Sequence, residues 1–354
     1  MNVSVVGAGR MGLPLACVLA ENGAITTACD IDEGIVETVR SGKSPYCEPG
    51  LDELVSEMRT LGRLDATTNT TAAAEASDVI IIIVPAHLTP DKEIDYAILL
   101  AASAAVGKGL RKNTLVIYET TVSVGGTRHV LIPALETYSG LKAGTDFYVA
   151  FSPERVKANL VLSRLKSTIK VVGGFDEESL ARAAKFYRTF LQAPVDEVGS
   201  LEAAEMVKLV GMLYRDVNIA LANELASFSE LVGVEVERVR QAANTDGEAN
   251  LLTPGIGVGG HCTPVYPYFL TRESKRLGVI QHLAEAARLI NDRQPKRHLD
   301  RLARQWRPLN GRRVHILGLG FRPGVKVDTF SPAFCLCREL KEYGAVVTIE
   351  DPHY

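Results

Sequence analysis

The sequence predicts an α/β chain. It should hold a doubly wound parallel sheet, a central domain built on one long helix, and the beginning of a second sheet unit. Three observations predict this. Short apolar runs alternate with helical stretches from the start to about residue 195, the rhythm of parallel strands joined by crossover helices. Residues 201–232 carry Ala, Leu, Met and Val at three- and four-residue steps with no proline, the period of a helix with one buried face. A strand–turn–helix–strand pattern then restarts at residue 312 and runs to residue 351. The expected domains are 1–197, 198–300 and 301–354.

In chain order, strands are expected at 2–6, 24–29, 79–84, 114–118, 147–151 and 170–173. The turn-rich segments at 85–90 and 119–122 follow strand ends, where ligands collect in an open α/β sheet. The long helix 201–232 should bury one face against the first domain or against a second subunit. A helix over 281–292 is expected to end before Pro295, because proline lacks the N–H that a helix interior requires. Residues 296–310, basic and containing Pro308, read as a connector. A strand at 312–317, a helix at 331–343 and a last strand ending at Asp351 complete the pattern. Two strands and one helix are not a stable unit alone. This last domain is therefore expected to be partial, continuing further or packing on the others.

Composition narrows the function classes. A formal net charge of −3 gives no electrostatic reason to expect nucleic acid or a membrane surface. The longest apolar run, 79–85, is too short to span a bilayer, and no charged-then-apolar leader opens the sequence. The six cysteines show no paired metal-ligand spacing, so neither zinc nor another metal is expected. Cys335 and Cys337 share a helix at i and i+2, where side chains face apart. Together these features point to a cytoplasmic protein without disulfides.

The opening segment carries the first chemistry. An apolar strand runs directly into Gly7-x-Gly9-x-x-Gly12, a helix follows, and a second strand ends at Asp30. This is the Rossmann-like dinucleotide fingerprint in its full context. Gly7 makes the tight turn. Gly9 admits the pyrophosphate, and Gly12 lets helix and strand pack closely. Arg10 and Met11 fill the turn at the helix N-terminus, whose N–H groups and dipole favour the anion. Asp30 would bond a ribose diol and repel a 2′-phosphate, so the expected cofactor is NAD. Pro85 and Thr121, just past strand ends, should border it.

The second chemical feature is Gly255-x-Gly257-x-Gly259-Gly260-His261-Cys262. Glycines allow close backbone approach to a ligand, and the thiol is a candidate nucleophile facing a polar, phosphorylated substrate. A cysteine after a flexible loop is also commonly an inert small hydrophobe, and residue type alone leaves both readings open.

Taken with Glu48-Pro-Gly-Leu51, Glu119-Thr-Thr-Val122, Phe151-Ser-Pro-Glu-Arg155, Glu205-Met-Val-Lys-Leu209, Tyr214-Arg-Asp-Val-Asn-Ile-Ala220 and Pro267-Tyr-Phe-Leu270, these features resemble the UDP-glucose/GDP-mannose dehydrogenase family. Within it the chain is most similar to the UDP-N-acetylhexosamine 6-dehydrogenase branch. The resemblance spans essentially the whole chain. It implies two Rossmann-like domains joined by a long helix that also forms a homodimer, the second of them partial here. It implies oxidation of a UDP-sugar C6 alcohol to a carboxylate, with two hydride transfers and a thiohemiacetal and thioester on Cys262. Lys208 matches the lysine that stabilises the oxyanion and Glu154 the glutamate that works with water as general acid/base. Thr121 matches the threonine that orients that water. Substrate contacts are implied for Glu154, Arg155, Lys208, Arg215, Asn218, Gly257, Gly259, Gly260 and His261, and for Phe321 and Arg322 of the last unit.

The sequence departs from the family at two chemical positions. Met212 stands where the family has asparagine, and Tyr266 where it has aspartate. Neither replacement supplies the lost polar group. Residues 155–159 also lack the usual proline–glycine or serine–glycine step. These departures bear on thioester hydrolysis more than on the first hydride transfer. They leave open an oxidoreductase that stops after one hydride and a non-catalytic nucleotide-binding relative. A β-hydroxyacid dehydrogenase shares the general plan but has no need of the glycine-rich cysteine loop.

Overall fold

The structure, a computed structural model, describes residues 1–156, 160–306, 308–324 and 326–354. The chain divides into two compact units, Met1–Lys208 and Leu209–Tyr354.

The first unit is built on an eight-stranded sheet. Its strands are β1 (Asn2–Val6), β2 (Ile25–Cys29), β3 (Leu64–Thr67), β4 (Val79–Ile82), β7 (Leu115–Tyr118), β8 (Tyr148–Phe151), β9 (Lys170–Gly174) and β10 (Val195–Ser200). A small hairpin, β5 (His87–Leu88) and β6 (Ile94–Asp95), lies outside it. The sheet order is β10-β9-β8-β7-β4-β1-β2-β3. Period-two alternation divides its core in two. Val3, Val5 and Ile81 face one layer of helices, while Val6, Ile80 and Ile82 face the other. The central strands read as continuous Val/Ile runs because both faces are covered.

The expected parallel sheet is found from β3 to β8, but β9 runs antiparallel to β8. The reason is the connection between them. Its one helix among the described residues, Val161–Ser167, has seven residues and spans about 10 Å, too little to carry the chain back along the sheet. Here Ala150 pairs with Gly174 and Phe151 with Gly173. Continuing that register sets Glu154 opposite Lys170. The reversed strand thus starts where β7 and β8 end.

The helix Leu201–Val232 has the predicted limits. It begins in the first unit and continues into the second. The second unit adds helices Val236–Ala243, Tyr266–Arg276, His282–Gln305 and Pro332–Glu342. It also holds the parallel pair β11 (Arg313–Leu317) and β12 (Val346–Glu350). The expected stop before Pro295 is wrong: the helix runs through Pro295 to Gln305, and most of the expected connector is helical. Packing overrides the proline penalty. Leu299 and Ala303 bury against Leu309, Leu336, Leu340 and Ala345. Arg297 and Arg301 both pair with Glu230 on the long helix.

Among the described residues no helix is long and apolar enough to cross a membrane, and all six cysteines are unbridged.

Candidate functional site

The glycine turn after β1 is shaped as a dinucleotide cradle. Gly7 adopts φ +104°, and a Cβ there would lie 2.9 Å from the Ile83 carbonyl oxygen. A Cβ on Gly12 would lie 1.9 Å from the Gly7 carbonyl oxygen, so the helix Gly12–Glu21 starts as close to the strand as glycine allows. At Gly9 a Cβ would meet nothing within 4 Å. That glycine keeps open the space a pyrophosphate needs, not room for the protein itself. Asp30 sits at the end of β2, fixed by N–H donors from Ala8 (3.0 Å) and Asp32 (3.0 Å). The Arg10 guanidinium lies 5.7 Å from the centre of the Tyr46 ring. Burial and the charge of Asp30 raise the Tyr46 hydroxyl above its ordinary pKa. Tyr46 went unnoticed in the sequence, since only its place in space puts it beside the fingerprint. Pro85 follows β4, where the Thr120 hydroxyl donates to the Val84 carbonyl at 2.5 Å. Thr121 is buried beside it. These features fit NAD, with the first-turn N–H groups facing the phosphates and Asp30 facing the ribose.

A second cluster lies at the carboxyl ends of β7 and β8. Lys208 donates from Nζ to the backbone carbonyl of Glu154 at 2.6 Å. The Glu154 carboxylate accepts from Val156 N–H at 2.5 Å. Beneath it three further groups meet, none of which sequence reasoning assigned a role. Glu119 is fully buried, with Lys170 Nζ at 2.8 Å and the Tyr187 hydroxyl donating at 2.5 Å. Lys170 is also 3.8 Å from a Glu154 carboxylate oxygen. Burial raises the Glu119 pKa, while the Lys170 ammonium opposes that shift. The signal for Lys170 was a lysine at the head of an otherwise apolar strand, Lys170-Val-Val. Arg155, expected to face substrate, donates to the Ile169 carbonyl.

Glu205, one turn before Lys208, accepts from the N–H groups of Gly125 (2.6 Å) and Thr127 (2.9 Å) and so ties down the segment after Thr121. Burial pushes its pKa up to about 7 against the pull of those donors. A carboxyl whose pKa is raised on folding adds stability at low pH. That contribution is complete below about 4.5, its ordinary value, and is lost as pH rises to about 7. It is on the order of 3 kcal/mol at most. Glu205→Gln, neutral throughout, should lack this slope. The thermal midpoint of wild type minus that of the variant is expected to fall between pH 4.5 and pH 7 and then level off. A flat difference would contradict this.

In the second unit the cysteine loop is held at both ends. Asn218, expected to face substrate, accepts from Leu252 N–H (2.8 Å) and donates to the Asn250 carbonyl (2.7 Å). Asn223 accepts from Gly255 N–H (2.9 Å) and donates to Asn291 (3.0 Å). Asn291 in turn donates to the Asp216 carboxylate (2.9 Å), which pairs with Arg288 at 2.7 Å. This buried polar chain was missed, because Asn223 and Asn291 lie in helical runs that read only as periodicity. Arg215 is exposed on the same helix.

Three of the loop's glycines, Gly257, Gly259 and Gly260, are required by packing. A Cβ on Gly257 would lie 2.8 Å from Pro332, and one on Gly259 would lie 2.6 Å from Phe321. Gly260 has φ +88°, donates to the Thr329 carbonyl (2.8 Å) and faces the Phe321 ring. The His261 ring is 3.1 Å from the Thr329 hydroxyl. Phe321, expected at the substrate, thus covers the loop from the segment after β11, with Arg322 next to it. Cys262 is half-buried, and its carbonyl accepts from the N–H groups of Val265 (3.2 Å) and Tyr266 (2.9 Å). The Tyr266 ring packs on Phe269 at 5.3 Å.

A doubly wound sheet with this glycine cradle, followed by a long helix and a second parallel pair, defines an NAD-dependent oxidoreductase of the dehydrogenase class. Residues 1–191 match the NAD binding domain of the UDP-glucose/GDP-mannose dehydrogenase family, and residues 202–293 match its central domain. The chain belongs to that family. It is 34% identical over 358 residues to the UDP-N-acetyl-D-mannosamine dehydrogenase of Pyrococcus horikoshii, covering 100% of this chain and 84% of that one. It is 32% identical over 356 residues to the UDP-N-acetyl-D-glucosamine 6-dehydrogenase of Pseudomonas aeruginosa, covering 99% and 83%. The solved structure of the P. horikoshii UDP-D-ManNAc dehydrogenase superposes with a TM-score of 0.93 at 33% identity, covering 100% of this chain and 84% of that one.

Proposed function

We propose that this protein is an NAD-dependent nucleotide-sugar 6-dehydrogenase that oxidises the C6 alcohol of a UDP-N-acetylhexosamine, or of a UDP-hexose, to the carboxylate. The observation that carries this reading is the Cys262 loop, in which Gly257, Gly259 and Gly260 are required by close packing, so that one thiol is presented from a fixed backbone.

NAD supplies a hydride acceptor, twice per sugar. The residues do the rest. Lys208 stabilises the C6 oxyanion as the alcohol loses its proton. Cys262 sulfur then bonds to C6 of the aldehyde, whose oxygen takes a proton, giving a thiohemiacetal. Loss of a hydride and a proton from that adduct leaves a thioester. Glu154, with Thr121 orienting the water, removes a proton as water attacks. The C–S bond breaks, releasing the carboxylate and restoring the thiol. Arg155, Arg215, His261, Phe321 and Arg322 border the sugar nucleotide. Asn218 and the glycines hold the loop. The long helix also presents exposed Leu225, Phe228 and Leu231, an apolar face that supports a homodimer.

Met212 and Tyr266 favour a second reading, in which oxidation stops after one hydride. The deciding experiment counts NADH formed per sugar nucleotide consumed, using UDP-N-acetylmannosamine, UDP-N-acetylglucosamine and UDP-glucose. The expected result is two. One would establish aldehyde release. None, with NAD binding intact, would indicate a binding protein.

A further inference from the structure

We propose that Lys170 is a positioning residue for the reaction: clamped by Glu119 and Tyr187, it holds Glu154 as an oriented carboxylate without itself touching substrate or cofactor. This rests on the role given to Glu154 above.

The antiparallel turn of β9 makes the arrangement. A parallel β9 would begin at the opposite end of the sheet. Reversed, its first residue brings its ammonium to 3.8 Å from the Glu154 carboxylate. Lys170 is 6% exposed, and a lysine so buried is costly unless its charge is matched. It is matched twice, by Glu119 at 2.8 Å and by Glu154 at 3.8 Å. The Tyr187 ring lies 4.9 Å from the ammonium, and the Tyr187 hydroxyl bonds the far oxygen of Glu119. Glu119 has one oxygen on the Tyr187 hydroxyl and the other against the ammonium, so it is the fixed counter-ion. Glu154 is the looser partner and the more exposed of the two acids.

The asymmetry suits an acid/base residue. When Glu154 takes a proton, Lys170 keeps Glu119 and is not stranded. When Glu154 gives the proton up, Lys170 offsets the repulsion between the two carboxylates. The other groups facing Glu154 act differently. Lys208 bonds its backbone carbonyl, Arg155 is turned to Ile169, and Arg164 lines the small cleft beside it. Among these described side chains only Lys170 reaches the carboxylate, at the oxygen opposite the one that accepts from Val156 N–H.

The test uses Lys170→Met, Lys170→Arg and the double variant Glu119→Gln/Lys170→Met, which removes both buried charges should the single change fail to fold. NADH formation is followed against pH with the sugar nucleotide the enzyme accepts. Lys170→Met should lose kcat at least about tenfold, with the acid limb of its pH profile moving up and little change in KM for NAD. The double variant, in which the repelling Glu119 charge is also gone, should lose kcat similarly with its acid limb near that of wild type. Arginine should restore most of the rate. A double variant with the wild-type rate, or a folded Lys170→Met with the wild-type rate and acid limb, would overturn the proposal. A second readout needs no activity: thermal midpoints of Lys170→Met, Glu154→Gln and their combination. The effects should be non-additive, and additivity would count against the coupling. Were wild type to form no NADH, the functional reading would fail, while the midpoints would still decide the Lys170–Glu154 coupling.

Discussion

Cys262→Ala should fold, bind NAD and form almost no carboxylate. The net rate is expected to fall by roughly three orders of magnitude or more, about 4 kcal/mol of transition-state stabilisation. The loop does not depend on the thiol for its shape. Its glycines pack on Phe321 and Pro332, and its entry is bonded to Asn218 and Asn223. Truncation at Cys262 therefore removes a nucleophile and leaves the backbone in place. Without sulfur the aldehyde has no covalent route to the second hydride. The variant should release at most a slow single NADH per sugar. Rapid quenching of wild type during turnover, followed by intact-protein mass measurement, should show a sugar-nucleotide adduct that is absent from the variant. Two NADH per sugar at near the wild-type rate in Cys262→Ala would remove the thiol from the mechanism.

The parts of this molecule that were legible in the sequence are those whose signal is local. The fingerprint Gly7-x-Gly9-x-x-Gly12 with Asp30 names its turn, its helix and its acid within one βαβ unit. The helix 201–232 is a single uninterrupted period. What escaped reading depends on distant partners. β3 has four residues and β10 is polar and largely exposed, so neither makes an apolar run. The direction of β9 is set by a helix too short to cross the sheet, and periodicity carries no direction. Pro295 was read as a stop because its own chemistry says so, yet Leu299 and Ala303 have a core to reach beyond it. The same holds for the site. Lys208 and Glu154 were singled out through their motifs, and the fold sets the lysine against the backbone of Glu154. Lys170, Glu119 and Tyr187 lie on three separate elements, and only the register of β8 and β9 joins them to Glu154.

Glycine substitutions in the cofactor turn should separate stability from binding. Gly12→Ala places a methyl carbon 1.9 Å from the Gly7 carbonyl oxygen and 2.9 Å from the Ile83 side chain. The oxygen is backbone and cannot rotate away. Gly7 cannot yield either, since it sits at φ +104° against the Ile83 carbonyl. The helix Gly12–Glu21 must move instead, and it is buried from Gly12 through Ala20. Overpacking of this kind costs about 3 kcal/mol or more. For a unit of this size that is roughly 6–12 °C of thermal midpoint, and NAD affinity should fall with it. Gly9→Ala is the counterpart. Its Cβ would meet no protein atom within 4 Å, so its midpoint should match wild type. The methyl group would project where the pyrophosphate approaches, and NAD affinity should fall at least about tenfold, or 1.4 kcal/mol. Scanning calorimetry and NAD titration on both variants test the pair. A Gly12→Ala protein with the wild-type midpoint would mean that the strand and helix are not packed as closely as described. A Gly9→Ala protein with unchanged NAD affinity would mean that the pyrophosphate does not lie over this turn.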